Sequence, residues 1–361
     1  MNNTRITGSN LRIIGVMSGS SLDGLDLAYC QLTPQSSKWS YSILQAETVP
    51  YSATMHRRLM GLSRLDAEEV AQLDADLGVF IAQSILAFVE KHALKNVHYI
   101  ASHGHTAFHN PSGGYSLQIG HGATIAAGTG IPVIADFRSL DVALGGQGAP
   151  LVPIGDELLF PEYEYCLNLG GYSNISYRKK NERLAFDICP VNKAINTLAG
   201  QSGQEMDHNG TIASKGESDE SLLEALNKLN YYRWSAPKSL GDQWFNSHFM
   251  PVIQQRNDLP VQDKLRTLYE HIAQQIAAST SRQPGEKMLV TGGGAHNTVL
   301  MEIIRKNSKV QIIKPSELLI DYKEALVFAL MGALRSLNRI NSLASATGAS
   351  RDSSAGVIYQ I

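Results

Sequence analysis

Two segments of the chain share an order of residues that strongly constrains its fold: an apolar stretch, a turn of small residues, and a second apolar stretch. In the first segment, the turn at 18–24 separates the apolar stretches 11–17 and 25–30. In the second, the glycine-containing turn at 170–174 separates the strand-like stretches 165–169 and 175–177. Apolar runs of this length around small-residue turns predict β-hairpins. The repetition predicts a structural duplication, with one hairpin opening each half of the chain.

Between and after the hairpins, the hydrophobic pattern alternates between helical and strand periods. Residues 66–94 place apolar side chains at steps of three and four, which predicts a helix, and the strand-like stretches 97–101 and 131–135 follow. A late amphipathic helix is predicted at 318–337. This alternation predicts an α/β protein.

The length of 361 residues suits two domains, at roughly 150 residues for each. We expect an N-terminal domain at 1–145 and a C-terminal domain at 146–361. The late helix could pack back on the first of these domains.

Charge and cysteine content argue against several classes of partner. Lys and Arg total 31 against 33 Asp and Glu, for a net charge of −2, whereas a protein that binds nucleic acid through its phosphates carries a basic surplus. The three cysteines form neither a disulfide framework nor a Cys-x-x-Cys metal clip. The N-terminus lacks a signal-peptide pattern, and no uninterrupted apolar run reaches the ~18 residues of a membrane helix. We therefore expect a cytoplasmic protein with no nucleic-acid or membrane partner.

The first candidate site is the turn at 18–24. Its small residues allow backbone N–H groups to approach a ligand, and successive N–H groups form a concavity for an anion. With Asp23 beside them, they suit a nucleotide phosphate and a metal ion. A tight hairpin turn without a ligand explains the same residues. The glycine spacing matches neither a P-loop nor a dinucleotide fingerprint, since each of those opens a helix.

Two further candidate sites follow strand-like stretches in the second half. Asp187 ends an apolar run, where a carboxylate could act as a general base, although a helix cap or a turn is a commoner role for such a residue. The glycines at 292–294 follow the stretch 288–290 and precede His296 and Asn297. Glycines in this place let the backbone approach a flat ligand or a phosphate, or simply connect a strand to a helix.

Three histidines and one cysteine are weaker candidates. His103, His105 and His109 have a spacing that zinc ligands can show, but no acidic residue or cysteine accompanies them at a diagnostic distance in the sequence. Hydrogen-bonded polar groups are the commoner role for such residues. Cys189 beside Pro190 suggests an inert buried thiol, since the sequence shows no cationic surroundings for it.

The candidate segments occur in a specific order together with several longer motifs. The motifs are GVMSGSSLDGLD at 15–26, SHGHT at 102–106, ADFR at 135–138, DVA at 141–143, GGQGAPLVP at 145–153, LNLGGYSNI at 167–175, FD at 186–187, PKS at 237–239 with Gly241, GGGAHN at 292–297, and EA at 324–325. In this order, over most of the chain, the sequence resembles the anhydro-N-acetylmuramic acid kinase family.

The resemblance implies a fold and a reaction. The fold is an α/β protein with two duplicated actin-like, ribonuclease H-like domains around a central nucleotide cleft. The reaction is that of a kinase that uses ATP with Mg²⁺. Water opens the 1,6-anhydro ring of anhydro-N-acetylmuramic acid while O6 is phosphorylated, which gives N-acetylmuramic acid 6-phosphate in cell-wall recycling. The partners implied are a small-molecule sugar substrate and a second copy in a homodimer.

The resemblance also implies roles for individual residues. Asp187 matches the catalytic base of the family. Binding of the sugar is implied for His103, Arg138, Asp141 and Glu324. Contacts to ATP are implied for Ser18, Gly19, Ser20, Ser21, Leu22, Asp23, Gly24, Leu25, Gly170, Gly171, Lys238, Gly292, Gly293, Gly294 and Asn297.

Several positions depart from the family pattern. Cys189 and Val191 stand where the family has the glycines of a Gly-Pro-Gly turn, and Asn196 replaces an Asp. A β-branched residue such as Val191 does not readily adopt a positive φ, so we expect this turn to differ locally. Two alternatives therefore stay open: a kinase of the same fold for a related sugar, and a nucleotide- or sugar-binding protein with weak turnover.

Overall fold

The computed structural model describes residues 10–19, 22–35, 38–180, 182–236, 238–280 and 285–361. The chain divides into two compact units, which we call unit 1 and unit 2. Unit 1 comprises Met1–Pro161 and Tyr322–Ile361, and unit 2 comprises Glu162–Asp321. The boundary expected after residue 145 falls inside unit 1.

The described strands are numbered in chain order. They are β1 (Leu11–Ser18), β2 (Leu25–Pro34), β3 (Trp39–Val49), β4 (Tyr99–Ser102), β5 (His105–Asn110), β6 (Tyr115–Ile119), β7 (Val133–Ala135), β8 (Tyr165–Leu169), β9 (Tyr172–Lys179), β10 (Glu182–Pro190), β11 (Lys287–Thr291), β12 (Gln311–Ile313) and β13 (Val357–Tyr359).

The described helices are numbered in the same way. They are α1 (Ala53–Met60), α2 (Ala67–Lys91), α3 (Gly122–Thr129), α4 (Ser139–Ala143), α5 (Pro153–Leu159), α6 (Asn192–Gly200), α7 (Glu220–Asn227), α8 (Asp242–Trp244), α9 (Met250–Gln254), α10 (Val261–Ala278), α11 (Thr298–Asn307), α12 (Glu317–Ser336) and α13 (Ala344–Thr347).

Both units are built on a mixed sheet with the same strand order. The sheet of unit 1 runs β13-β7-β4-β1-β2-β3. Read in the same direction, the sheet of unit 2 runs β12-β11-β8-β9-β10, so that β8 corresponds to β1. In each sheet the first three strands of the sequence pair antiparallel, and the next two continue parallel from the first. Unit 1 adds β13, which lies antiparallel to β7 at the edge. The duplication predicted from the two hairpins is therefore confirmed in the topology.

The two predicted hairpins occupy the centre of their sheets. Strands β1 and β2 pair up to Ser18 and Leu25, and strands β8 and β9 pair up to Leu169 and Ser173. In β1, the consecutive residues Ile13 and Ile14 are both fully buried, so both faces of this strand are covered, as in α/β sheets with helices on each side. Each hairpin turn thus lies at the end of a buried central strand.

The helix predicted at 66–94 is observed as α2. It begins at Asp66, whose carboxylate accepts a hydrogen bond from the Glu69 N–H, while the Glu69 side chain accepts one from the Asp66 N–H. Among the described helices, α2 is the one that is long and apolar enough to cross a membrane by length and composition. Its buried residues, which include Leu73 and Phe88, pack in the interior of unit 1 as those of a core helix do.

The glycine-rich segment at 145–148 resembles a domain linker in composition, yet it is tied into unit 1. Its backbone N–H groups donate to the carboxylate of Asp141 and to the carbonyl oxygen of Thr347, at 2.8 Å in both cases. The following helix, α5, packs closely on α12, since a Cβ atom on Gly155 would collide with Val327. These contacts explain why unit 1 continues beyond residue 145 and includes the late helix.

Candidate active site

Asp187 lies on β10, the edge strand of the sheet in unit 2, beside a β-bulge that precedes Cys189. Its Oδ2 atom accepts a hydrogen bond from the Leu240 N–H at 2.8 Å. Its own N–H donates to the carbonyl oxygen of Lys238 at 3.1 Å, and the Tyr231 hydroxyl donates to its carbonyl oxygen at 2.6 Å. Tyr231, Lys238 and Leu240 therefore fix both the main chain and the carboxylate of Asp187.

The carboxyl group of Asp187 is suited to accept a proton near neutral pH. The group is half-buried, and this desolvation raises its pKa to about 6, an effect that the Leu240 N–H partly offsets. A general base works best when its pKa lies near the operating pH. The Oδ1 atom receives no hydrogen bond from the described residues, so it is available to a substrate or a water molecule.

The glycine turn between β8 and β9 is held by the start of α6. The carbonyl oxygens of Gly170 and Gly171 accept hydrogen bonds from the N–H groups of Asn192 (3.1 Å) and Val191 (2.9 Å). The C=O and N–H of a trans peptide point in opposite directions, so the Gly171 N–H points away from α6. A Cβ atom on Gly171 would have its nearest described neighbour, on Lys193, at 4.0 Å. The turn thus has the open backbone expected of a phosphate contact.

Two of the three glycines after β11 have a packing role. Gly292 has a φ of +84°, which favours glycine, and a Cβ atom there would collide with Asn168. A Cβ atom on Gly294 would lie 2.8 Å from the Cβ of Leu169. On Gly293, by contrast, the nearest described atom would lie 3.6 Å away. Space for a ligand therefore exists at Gly293, whereas Gly292 and Gly294 allow close packing against the end of β8.

Asn297 is engaged by protein groups at the start of α11. Its Oδ1 atom accepts from the Leu300 N–H at 3.0 Å, as a helix cap, and its Nδ2 atom donates to the Tyr269 hydroxyl at 2.6 Å. The side chain therefore anchors the segment that follows the three glycines.

Lys238 presents its main chain and its side chain to different surroundings. The carbonyl oxygen of Lys238 accepts a hydrogen bond from the Asp187 N–H. Its Nζ atom donates to the carbonyl oxygen of Tyr231 at 3.2 Å and lies 4.6 Å from the centroid of the Tyr231 ring. The side chain also lines a cavity of about 410 Å³ whose walls include Phe186 and Trp234. The ammonium group thus lies among aromatic rings, and desolvation lowers its pKa.

In unit 1, the turn expected to hold ATP is anchored at both of its ends. Ser18 is buried, and its Oγ atom accepts from the Tyr51 hydroxyl at 2.6 Å and lies 3.0 Å from His105 Nδ1. The side chains of Leu22 and Leu25 are buried in the core of unit 1. Contacts from these two leucines to ATP could therefore come only from the backbone.

The remaining residues of this turn differ in what they offer. A Cβ atom on Gly24 would lie 2.6 Å from the carbonyl oxygen of Val49, so close packing requires glycine there. Gly19 is half-buried, and Asp23 is exposed. Ser20 and Ser21, the other two predicted ATP contacts, lie outside the described residues.

Three of the predicted sugar-binding residues form one cluster in unit 1. His103 donates from Nδ1 to the carbonyl oxygen of Gly104 at 2.9 Å and accepts at Nε2 from Arg138 Nε, also at 2.9 Å. These two bonds fix the neutral tautomer, and burial together with the charge of Arg138 lowers the pKa of His103. Burial lowers the pKa of Arg138 to about 10, against the opposing effect of Glu324 and Asp141. Desolvation in turn raises the pKa of Glu324, and the positive charge of Arg138 acts in the opposite direction.

Asp141 does not present its carboxylate to a ligand. The side chain is buried, and Oδ1 accepts from the hydroxyls of Ser342 (2.9 Å) and Thr347 (2.8 Å), while Oδ2 accepts from the Gly148 N–H (2.8 Å). Both oxygens are therefore used inside unit 1. We treat Asp141 as a structural residue and not as a sugar contact.

The three histidines considered as zinc ligands have separate partners. His103 accepts from Arg138, His105 contacts Ser18, and His109 Nδ1 lies 3.0 Å from the Ser116 hydroxyl. Within the described ranges, no group of three or more His, Cys, Asp or Glu residues is placed to hold a metal ion.

Some groups that shape the site escape sequence reasoning. Leu240 acts through its backbone N–H, which carries no side-chain signal, and Tyr231 acts on the main chain of a residue 44 positions away. Tyr51 reaches Ser18 across 33 positions. Only the motif Pro-Lys-Ser with Gly241, which flanks Leu240, indicates that this segment matters.

Comparison with known proteins identifies the family. The profile of the family "Anhydro-N-acetylmuramic acid kinase" matches residues 11–361. An anhydro-N-acetylmuramic acid kinase of Pseudomonas fluorescens is 37% identical over 334 residues, which cover 88% of this chain and 90% of that protein. One from Vibrio cholerae is 34% identical over 364 residues, which cover 96% and 97% of the two chains.

Among solved structures, component A of the (R)-2-hydroxyglutaryl-CoA dehydratase of Acidaminococcus fermentans is similar at 12% identity with a TM-score of 0.45, over 89% of this chain and 96% of that one. From the family profile and the two kinases of Pseudomonas fluorescens and Vibrio cholerae, the chain belongs to the anhydro-N-acetylmuramic acid kinase family, which confirms the family resemblance inferred from its motifs and the kinase activity class that it implied.

Proposed function

We propose that this protein is a cytoplasmic, homodimeric kinase that converts 1,6-anhydro-N-acetylmuramic acid, ATP and water into N-acetylmuramic acid 6-phosphate and ADP, a step of cell-wall recycling. The observation that carries the proposal is the carboxylate of Asp187. Its pKa is raised to about 6, one oxygen is held by the Leu240 N–H, and the other is open. Asp187 also stands at the position of the family's catalytic base.

The proposed reaction needs one base and one phosphoryl donor. Asp187 takes a proton from water as the water oxygen forms a bond to C1 of the sugar. The bond between C1 and O6 breaks, and O6 keeps the electron pair. O6 then forms a bond to the γ-phosphorus of ATP as the bond from that phosphorus to ADP breaks.

Candidates for the phosphate contacts are the backbone positions with open space. In unit 2 these are Gly171 and Gly293. In unit 1 the candidates are the half-buried Gly19 and the exposed Asp23, which the family resemblance indicates. Mg²⁺ bound with ATP would offset the charge on the phosphates. Magnesium sites of this kind use one or two carboxylates together with phosphate oxygens, and the exposed carboxylate of Asp23 fits that requirement.

The departures from the family pattern are compatible with turnover. The side chains of Cys189 and Val191 are fully buried in the core of unit 2, and Val191 has a φ of −125°, so the backbone needs no positive φ there. Asn196 is exposed on α6. Cys189 and Val191 therefore add side chains to the core, and Asn196 exchanges one polar side chain for another at the surface. None of the three adds a side chain to the glycine turn between β8 and β9. This supports an active kinase over a binding protein with weak turnover.

An ADP-release assay with the purified chain tests the proposal. ADP release should require 1,6-anhydro-N-acetylmuramic acid, and the product should carry the mass of the sugar plus one water and one phosphoryl group. ADP release with another amino sugar but not with this one would indicate the related-sugar kinase. Binding of ATP or sugar without ADP release would indicate the binding protein.

A further inference from the structure

Unit 1 contains a polar pocket of about 190 Å³ at the ends of β4 and β6, beside the start of α3. We call it the Ser102 pocket. The residues that matter here are Ser102, His103, Gln118, Asp74 and Asp136.

Two polar atoms in the Ser102 pocket lack a partner. The Oγ atom of Ser102 and the Oε1 atom of Gln118 are buried, and neither has a hydrogen-bond partner among the described residues. Ser102 is 1% exposed. Leaving a buried polar atom without a partner costs stability, so native proteins seldom do it unless the atom serves a ligand or a water molecule. Two such atoms in one pocket therefore indicate a site for a ligand or for bound water.

The hydrogen bonds around Gln118 determine what this site accepts. Its Nε2 atom donates to the hydroxyls of Ser116 at 2.8 Å and Thr106 at 3.4 Å. These bonds leave Oε1 as a free acceptor, while the Ser102 hydroxyl can donate. A free acceptor and a free donor that line one pocket supply the two partners that the N–H and the C=O of an amide group require.

The charges around the Ser102 pocket favour a neutral ligand group. Asp74 accepts from the Gly120 N–H at 2.7 Å, and Asp136 accepts from the Ser139 N–H at 3.2 Å, so two carboxylates line the pocket. His103, which also lines it, is held in its neutral form. The described residues that line the pocket include no Lys or Arg, so an anionic group would face two carboxylates and the Gln118 acceptor, and a carboxylate is disfavoured.

His103 connects this pocket to the cluster proposed to hold the sugar, because its Nε2 atom accepts from Arg138. We propose that the Ser102 pocket receives the 2-acetamido group of the sugar, whose N–H donates to Gln118 Oε1 and whose carbonyl accepts from the Ser102 hydroxyl. This assignment rests on the proposed function and makes Ser102 and Gln118 determinants of specificity for N-acetylated sugars.

The test compares two substrates and three variants. The substrates are 1,6-anhydro-N-acetylmuramic acid and its analogue with a hydroxyl in place of the 2-acetamido group. The variants are Ser102→Ala, Gln118→Met and the matched control Ser84→Ala, in which the lost Oγ atom donates to the Phe80 carbonyl on α2. Steady-state ADP release gives KM and kcat, and calorimetry gives sugar affinity independently of turnover.

We expect Ser102→Ala and Gln118→Met each to raise KM for the acetamido sugar by roughly ten-fold, the scale of one hydrogen bond. Neither should change KM for the hydroxyl analogue or for ATP, and Ser84→Ala should leave all three values unchanged. The melting temperature of Ser102→Ala should equal or exceed that of the wild type, since the Ser102 hydroxyl has no partner among the described residues.

Three results would overturn the assignment. Unchanged KM for the acetamido sugar would indicate that the two atoms hold only water, and an equal rise of KM for both sugars would indicate a general structural role. In both cases, ADP release by the wild-type protein would leave the proposed kinase function intact. A wild type that binds neither sugar and releases no ADP would overturn the function and this assignment together.

Discussion

Asp187 and Asp76 show how the surroundings of a single residue set its chemistry. Asp76 is partly exposed and bonds to Arg58 at 2.7 Å, and this bond holds its pKa below the usual range. Asp187 is held by main-chain groups, and in the part of the chain that the structure describes it forms no ion pair. Without a cation to offset it, desolvation raises the pKa of Asp187. One residue type thus serves as a surface ion-pair partner in one unit and as a candidate base in the other.

The first prediction removes the base and keeps its shape. In Asp187→Asn the amide oxygen can still accept from the Leu240 N–H, but the side chain no longer takes a proton. We expect kcat to fall by about 10²-fold or more, the scale of losing a general base, while ATP affinity stays within two-fold. ADP release and calorimetry measure the two quantities. Asp76→Asn is the matched control, and wild-type turnover in Asp187→Asn would remove this carboxylate from the mechanism.

Glu324 supplies the second prediction at this scale. It lies on α12 in electrostatic contact with Arg138, and a carboxylate in such a place can accept charge-assisted hydrogen bonds from a sugar. Glu324→Gln keeps the size and removes the charge, so we expect KM for the sugar to rise roughly ten-fold with KM for ATP unchanged. The control is Glu317→Gln, an exposed position on the same helix. Equal effects of both substitutions would contradict a role of Glu324 in sugar binding.

At the scale of elements, Asp141 joins the segment after α4 to two residues near the C-terminus, about 200 positions away. It bonds to Gly148 after α4, to Ser342 after α12 and to Thr347 in α13. Asp141→Ala leaves these buried donors without an acceptor, so we expect a loss of about 3 kcal/mol or more in the free energy of unfolding, with KM for the sugar unchanged in the folded fraction.

The control for Asp141 is Asp352→Ala. The exposed Asp352 accepts from the Ala344 N–H at 2.8 Å, and losing a single cap of this kind costs about 1 kcal/mol. Denaturant unfolding compares the two variants. If Asp141→Ala kept the stability of the wild type but raised KM for the sugar, Asp141 would have to be regarded as a sugar contact.

The turn at 18–24 gives the second prediction at the scale of elements. Gly24 packs against the carbonyl oxygen of Val49, so Gly24→Ala should lower the melting temperature. Gly19→Val should instead raise KM for ATP with little change in melting temperature, because a Cβ atom there would obstruct the approach of a phosphate to the backbone. Thermal unfolding and ATP titration separate the two effects. An unchanged ATP dependence in Gly19→Val would favour a turn that binds no ligand.

The hairpins and long helices could be predicted because their signals are local. The apolar stretches 11–17 and 165–169 and the periodic stretch 66–94 became β1, β8 and α2. The boundary near residue 145 could not be predicted, because the bonds that tie 145–148 into unit 1 come from Asp141 and from Thr347, about 200 positions away. The composition of a segment indicates how flexible that segment would be by itself. It does not indicate which distant residues the segment bonds to in the folded chain.

The same limit applies to the candidate site. Motifs indicated Asp187 and the glycine turns, but they did not distinguish Gly171 and Gly293, which have open space, from Gly24 and Gly292, where packing requires glycine. Both kinds of glycine look alike in a sequence. The distinction depends on what a Cβ atom would meet in three dimensions.

At the scale of the whole molecule, the duplicated sheets support different chemistry. In unit 1 the first hairpin turn is anchored by side chains, through Ser18, Tyr51 and His105. In unit 2 the equivalent turn is anchored by the backbone at the start of α6. The third strand of unit 2, β10, carries the candidate base, whereas the third strand of unit 1, β3, carries Glu47, which is paired with Lys91 and has a lowered pKa. Of these two strands, only β10 therefore carries a carboxylate whose pKa is raised, that of Asp187.

The last prediction links the stability of the whole molecule to this base. In the unfolded chain Asp187 ionises near pH 3.9, and in the folded chain near pH 6. Between these values the folded protein keeps a proton that the unfolded chain releases, so stability falls as pH rises through this window and stays reduced above it. The loss amounts to about 2–3 kcal/mol at neutral pH.

Asp187→Asn does not titrate and escapes this loss. Its melting temperature relative to the wild type should therefore increase between about pH 4 and pH 6 and then remain constant. The increase is roughly 1–2 °C for each kcal/mol, since an unfolding entropy of about 2.1 cal/mol/K per residue applies to 361 residues. Thermal unfolding of both proteins across this range measures the difference, in which the contributions of all other carboxylates cancel. A difference that does not vary with pH would show that Asp187 keeps an ordinary pKa in the folded protein, and it would then be a poorly tuned base at neutral pH whatever its effect on kcat.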